Sequence, residues 1–161
     1  MKTLVLVRHA KSSWEHAGTP DHERPLNHRG RRDAPDMGRR LRERGLLPDV
    51  IRSSTAVRAR ATAVAIAAQF GIEPEAVVLD ERLYGSSPDT ILGVVGELDD
   101  SVETAMIVAH DPGLSDLAFD LSGTIEHMPT CAAAEFSFDV ARWSDVADAE
   151  PVEFRLETPR S

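Results

Sequence analysis

Two arginines and two histidines stand where a folded chain could use them together. Arg8 and His9 follow the apolar run Leu4-Val5-Leu6-Val7, and His110 follows the apolar stretch from Thr104 to Ala109. Arg58 comes shortly after Val50-Ile51, within Ser53-Ser54-Thr55-Ala56-Val57-Arg58. Arginine forks and helix N-termini both bind tetrahedral oxyanions, chiefly phosphate. A neutral imidazole is a nucleophile near neutral pH. It can attack phosphorus in line while guanidinium groups neutralise the equatorial oxygens and a second imidazole holds the transferring group. Such a set needs no metal, because the arginines supply the positive charge.

Each residue also has a plainer use. Arg8 and His9 could begin a solvated loop, Arg58 could be an exposed helix residue, and His110 could cap the turn before Pro112. Arg60 reads as exposed, and His16, His22, His28 and His127 lie in polar context and read as surface residues. A metal centre of His9, His110 and Asp111 is a poor alternative, since flanking arginines would repel a cation and no tight ligand spacing is present.

The elements around these residues decide whether they meet. Leu4 to Val7 reads as a buried strand covered on both faces, and Lys11 to His22 as a polar loop containing Trp14. Asn27 is a good N-cap for a helix from about His28 to Arg44 that ends at Gly45, with Pro35 as a conflict inside it. Val50 to Ser53 is a second strand, followed by an alanine-rich helix from Ala56 to Phe70 with Ser54 or Thr55 as its cap. Ala76 to Leu79 is a third strand, and Ser87-Pro88-Asp89 starts a helix reaching about Leu98. Thr104 to Ala109 is another buried strand, and a short helix around Leu114 to Leu121 closes at Gly123. Phe136, Phe138 and Val140, and then Val152, Phe154 and Leu156, alternate with polar residues, the pattern of strands with one face exposed at a sheet edge.

Strand and helix alternate for most of the length. The expected fold is therefore a three-layer α/β/α sandwich, with a mostly parallel central sheet, helices on both faces, and antiparallel edge strands near the C-terminus. The 161 residues suit one domain, 1–161. Parallel strands would bring their carboxyl ends, and with them Arg8, His9, Arg58 and His110, to one crevice.

Bulk composition narrows the function. A net charge of −9 argues against general nucleic-acid binding. No apolar run approaches membrane-spanning length, and Met1-Lys2-Thr3 leads into the first strand without a signal sequence. The single cysteine, Cys131, forms no internal disulfide and fits a reducing cytoplasm. No oligomeric state follows from the sequence.

The order of the pieces resembles the histidine phosphatase superfamily, the phosphoglycerate-mutase-like enzymes. Arg8-His9-Ala10, the stretch Ser54-Thr55-Ala56-Val57-Arg58-Ala59-Arg60-Ala61-Thr62-Ala63, and His110 carry the resemblance. More narrowly, Lys11-Ser12-Ser13-Trp14, Asp21 with Arg24-Pro25-Leu26, and Arg29-Gly30 are similar to the small SixA-type phosphohistidine phosphatases. The resemblance spans roughly residues 3–115. It implies a metal-independent phosphatase without a cofactor, in which His9 is transiently phosphorylated and Arg8, Arg58 and His110 complete the pocket. It also implies supplementary substrate contacts from Lys11 and Arg24, with Asp21 pairing Arg24.

The sequence departs from the family pattern in places. Ala10 replaces the commoner glycine, and either Ser53 or Ser54 could be the matching serine. Larger relatives carry a proton-donating acid after the third strand. Here Glu81 is the nearest carboxylate, while Tyr84 and Gly85 stand where the acid is expected, so the general acid is unassigned. Alcohol leaving groups need that proton, a contribution of roughly 10²–10⁴-fold, whereas a departing imidazole is far less basic. The gap and the short connection before Ser87 favour a phosphorylated protein substrate, such as a histidine-phosphotransfer domain, over a sugar phosphate. The alternatives are a small-molecule phosphomonoester phosphatase or mutase of the same superfamily, and a non-catalytic phosphate-binding module.

Overall fold

The computed structural model describes residues 1–15 and 17–160. Its sheet has six strands: β1 Lys2–Arg8, β2 Val50–Ser53, β3 Val78–Leu79, β4 Thr104–Ala109, β5 Ala133–Phe138 and β6 Glu153–Glu157. They lie in the order β3-β2-β4-β1-β5-β6. The pairs β1·β4, β2·β4 and β2·β3 are parallel, while β5 runs antiparallel to β1 and β6 antiparallel to β5.

Side chains alternate across a strand, so β1 feeds two cores. Val5 and Val7 join Met106 and Val108 beneath α1 (His28–Glu43) and α2 (Val57–Gln69), against Met37, Leu41, Ala63 and Ile66. Leu4 and Leu6 join Ile107 and Phe136 on the other face, against Ile91 and Val94 of α3 (Pro88–Gly96), Leu114 and Leu117 of α4 (Gly113–Ser122), and Trp143. Leu4, Val5, Leu6 and Val7 are all fully buried, each contributing about 1.5–3 kcal/mol of burial. This is the three-layer architecture the strand–helix alternation predicts.

Two glycines set how closely the layers approach the strand ends. A Cβ on Gly30 would sit 2.2 Å from the Lys11 carbonyl oxygen, so only glycine lets the first turn of α1 press on the loop after His9. A Cβ on Gly113 would sit 2.1 Å from the Ser86 carbonyl oxygen, which fixes the start of α4 against the segment before α3. The expected caps hold at Asn27, whose side chain accepts from Gly30 N, and at Ser87, whose side chain accepts from Thr90 N. Helix α1 runs through Pro35.

Other expectations need correction. Neither Ser54 nor Thr55 caps α2; its N-cap is Ala56, with no side-chain cap at all, because both hydroxyls are engaged with histidines. The strand carrying Phe136 and Phe138 is not half-exposed. It starts at Ala133, sits between β1 and β6, and is covered on both faces, so of these two strands only β6 lies at a sheet edge. The third strand is cut to Val78–Leu79, because Pro74–Ala76 forms a 3₁₀ turn. His16 lies outside the described residues.

Candidate active site

Register brings the two histidines together. Arg8 and Ala109 are the last paired residues of β1 and β4, and His9 and His110 come next on each strand. The ladder continues one step, with His9 N donating to Ala109 O at 3.1 Å. Adjacent strands lie about 4.8 Å apart, and the two imidazole centroids are 5.0 Å apart, tilted by 51°. On the other side of β4, Ser54 N donates to Val108 O at 2.9 Å, which carries Ser54 alongside His110. The first turn of α2 then delivers Arg58. Thr62 locks that helix in place, since its hydroxyl accepts from Ala10 N at 2.9 Å and donates to Arg58 O at 2.8 Å.

The charges are held by a small network. Arg58 donates to the Asp21 backbone carbonyl at 2.7 Å and to Asp21 Oδ2 at 3.0 Å. Asp21 Oδ2 also accepts from the Tyr84 hydroxyl at 2.6 Å, and Asp21 Oδ1 from Arg24 Nε at 3.2 Å. The Tyr84 hydroxyl and the two guanidinium groups hold Asp21 well below the usual carboxylate range. The phenol of Tyr84 is correspondingly pushed up by its bond to Asp21. Arg24 is buried, donates to Ser12 Oγ at 2.7 Å, and is covered by the exposed Trp14 ring at 3.6 Å. Arg8 donates to Met128 O at 3.0 Å and lies 3.5 Å from Asp111 Oδ2.

Both imidazoles are neutral at pH 7. Burial pushes His9 down to about 4, helped by Arg58, Arg8 and Arg24 and opposed by its bond to Ala10. Burial, with His9 and Arg58 close by, pushes His110 down to about 3. The Ala10 carbonyl, 2.7 Å from His9 Nδ1, can only accept, so Nδ1 carries the proton and Nε2 keeps its lone pair. An imidazole with that lone pair free is able to attack an electrophile.

Among the described residues, four buried side-chain polar atoms have no hydrogen-bond partner: Arg8 Nε, Arg52 Nε, Arg58 Nε and His110 Nδ1. Three of them belong to this one cluster. An unsatisfied buried donor costs about 1–3 kcal/mol, and more when charged. Such a concentration is relieved by an oxyanion that accepts from all three. Asp111, by contrast, gives its carboxylate oxygens to Ser115 and Arg8, and His9 gives Nδ1 to a carbonyl. Among the described residues no three His, Cys, Asp or Glu side chains are grouped to hold a metal ion.

The structure therefore brings Arg8, His9, Arg58 and His110 together, with Arg24 and Asp21 behind Arg58. Lys11 is half-buried in the adjoining loop, and its ammonium bonds no described residue. Glu81 is exposed, and its side chain likewise bonds none. Arg60, His28 and His127 are exposed as expected, His127 lying 3.9 Å from Asp111 Oδ2. Ser54, not Ser53, is the serine that reaches the site: Ser53 Oγ turns back to its neighbour's carbonyl. His22 is a correction, because it is half-buried rather than a surface residue. Its Nε2 is 2.8 Å from Thr55 Oγ1, and its ring packs edge-on against Tyr84 at 5.0 Å. Tyr84, which also packs edge-on against His110 at 5.4 Å, had a signal in the sequence, since it stands where an acid was expected.

The model for the histidine phosphatase superfamily (branch 1) matches residues 4–91. The uncharacterized protein Rv1276c of Mycobacterium tuberculosis (strain ATCC 25618 / H37Rv) is 37% identical over 151 residues, covering 87% of this chain and 91% of that protein. A 2,3-bisphosphoglycerate-dependent phosphoglycerate mutase of Chelativorans sp. (strain BNC1) is 36% identical over 89 residues, 52% of this chain and 43% of the mutase. The solved structure of a protein from Nakamurella multipartitia assigned as phosphohistidine phosphatase SixA superimposes with a TM-score of 0.82 at 28% identity, covering 96% of this chain and 95% of that one.

Proposed function

The chain belongs to the histidine phosphatase superfamily, and we propose that it dephosphorylates protein-bound phosphohistidine through a phosphohistidine intermediate on His9. The observation that carries this reading is the trio of partnerless buried atoms, Arg8 Nε, Arg58 Nε and His110 Nδ1, gathered around an imidazole whose Nε2 lone pair is free.

In the first step His9 Nε2 forms a bond to phosphorus as the bond from phosphorus to the substrate's imidazole nitrogen breaks. The departing imidazole leaves protonated, taking its proton from water or having carried it into the site. In the second step water attacks phosphorus on the opposite side, the bond to His9 breaks, and inorganic phosphate leaves. Arg8, Arg58 and His110 bear the charge on the equatorial oxygens in both steps. Asp21 holds Arg58 from behind through the outer edge of its guanidinium.

The missing proton donor selects the substrate. The two carboxylates tied into the cluster, Asp21 and Asp111, both face arginines, and Asp21 is an anion far into acid. A departing imidazole has an ordinary pKa of about 6.5 and needs no strong acid, whereas an alkoxide does. The likeness to the Nakamurella protein over nearly the whole chain supports the same substrate class. The partial match to the mutase favours a small phosphomonoester instead, and one comparison separates the two. Turnover of a phosphohistidine-bearing protein is expected to exceed that of an alkyl phosphomonoester, with acid-labile phosphate trapped on His9. Faster hydrolysis of the alkyl ester would overturn the proposal.

A further inference from the structure

Ser54 is fully buried between the ends of β2 and β4. Its hydroxyl has one proton and two lone pairs to place. One lone pair accepts from Ala56 N at 3.2 Å, and His110 Nε2 lies 2.8 Å from the same oxygen. No other described residue hydrogen-bonds this hydroxyl. If Nε2 donated to Ser54, the hydroxyl proton would be buried with no acceptor, which costs about 1–3 kcal/mol. If the hydroxyl donates to Nε2, every group on Ser54 is satisfied. His110 is neutral, so a lone pair at Nε2 puts its single proton on Nδ1, the very atom that is buried without a partner.

We propose that Ser54 is a positioning residue that fixes His110 in the Nδ1–H tautomer. The inference rests on the reading above, in which a phosphoryl group lies between the imidazoles. The two rings are then in the same tautomer for opposite purposes. In His9 a carbonyl draws the proton to Nδ1 and frees the Nε2 lone pair to attack. In His110 a hydroxyl occupies the Nε2 lone pair and leaves Nδ1–H as a donor to the phosphoryl oxygens. A neutral donor adjoining Arg8 and Arg58 stabilises the oxyanion without adding a third repelling cation. The serine preceding α2 thus accepts from Ala56 N at the helix start and gives its proton to the histidine of the neighbouring strand.

The decisive measurement is the side-chain nitrogen NMR spectrum of His110 at neutral pH in protein labelled with ¹⁵N-histidine, with the resonance assigned by its loss in His110→Gln. Expected is a pyrrole-type Nδ1 and a pyridine-type Nε2. Ser54→Ala should move population to the Nε2–H form and weaken orthovanadate inhibition about tenfold, the equivalent of one hydrogen bond, while Ser54→Thr, which keeps the hydroxyl, should restore both. A merely structural serine would lower stability in Ser54→Ala and leave the tautomer alone. A wild-type His110 protonated at Nε2, or an unchanged tautomer in Ser54→Ala, would overturn the proposal. The wild-type spectrum decides even where Ser54→Ala fails to fold. Failure of the phosphatase reading looks different: no acid-labile phosphate on His9, with the tautomer shift still present.

Discussion

The two ends of the parallel strands treat arginine in opposite ways. At their starts stands Arg44, which reaches both Glu135 and Glu157 farther along the sheet, and Arg40 lies 3.3 Å from Glu157. A cavity of about 400 Å³ opens there, lined by residues that include Thr3, Arg44, Asp49, Glu103, Glu135 and Arg155. At the carboxyl ends, Arg8 and Arg58 are also paired, yet each keeps a buried Nε with no partner, while the cavity touching His110 is smaller, about 310 Å³. Neither cavity size nor charge count separates these ends. The difference is hydrogen-bonding capacity left open: carboxylates consume it at one end, and at the other an imidazole with a free Nε2 lone pair sits among what remains.

Removing the proposed nucleophile is the harshest test of that contrast. His9→Ala is expected to lose essentially all turnover and all acid-labile phosphate on the protein, measured by phosphate release and by acid-sensitive labelling. Normal hydrolysis in that variant would mean that another residue attacks. Arginine truncation at each end then sharpens the comparison. Arg58→Ala should lower kcat/KM about 10²–10³-fold and weaken vanadate inhibition with the fold intact. Arg44→Ala should leave kcat/KM unchanged and cost about 1–3 kcal/mol in denaturant unfolding, because Glu135 and Glu157 lose a shared cation. Equal losses of activity at both ends would erase the distinction.

Mild acid probes the two buried imidazoles. His9 and His110 are held at about 4 and about 3, below the ordinary 6.5. Between those values the unfolded chain binds more protons than the folded one, so stability falls as pH drops below 6.5 and that loss is complete once both folded values are passed. The sum is at most about 8 kcal/mol, since each pH unit separating a folded from an unfolded pKa is worth about 1.36 kcal/mol. In His110→Asn the fall in unfolding free energy between pH 6.5 and pH 4 should be shallower, read from urea midpoints. An unchanged slope would mean the imidazole titrates as freely as in the unfolded chain.

The site was legible in the sequence where strand register decides it. Two apolar runs ending in histidine are enough to pair His9 with His110, once the strands are parallel neighbours. Arg58 follows because a helix must start after β2. What could not be read is the choice among polar partners. Ser54 and Thr55 satisfy the rules for an N-cap, and only the neighbouring strand and the loop around Asp21 reveal the histidines that claim them. Asp21 and Tyr84 are 63 positions apart and share no pattern. Strand β5 misleads for a related reason: Ser137 and Glu135 alternate like solvent-facing residues, but Glu135 is turned toward Arg44 of the α1 layer.

The gentlest perturbation concerns Tyr84, whose hydroxyl reaches the site only through Asp21. Its hydroxyl supplies one bond to Asp21 Oδ2, and that carboxylate still has Arg58 and Arg24 when the hydroxyl is gone. The Asp21 side chain is 51% exposed, so water replaces the lost bond at little cost. The ring stays in Tyr84→Phe, and with it the edge contacts to His110 and His22. The carboxyl pKa of Asp21 should rise yet stay below its ordinary value, and kcat/KM on a phosphohistidine protein should fall only about two- to fivefold, within the net worth of one exposed hydrogen bond. A loss of about a hundredfold would place the phenol on the reacting atoms themselves. The proton that the carboxylates at this end cannot give would then come from Tyr84.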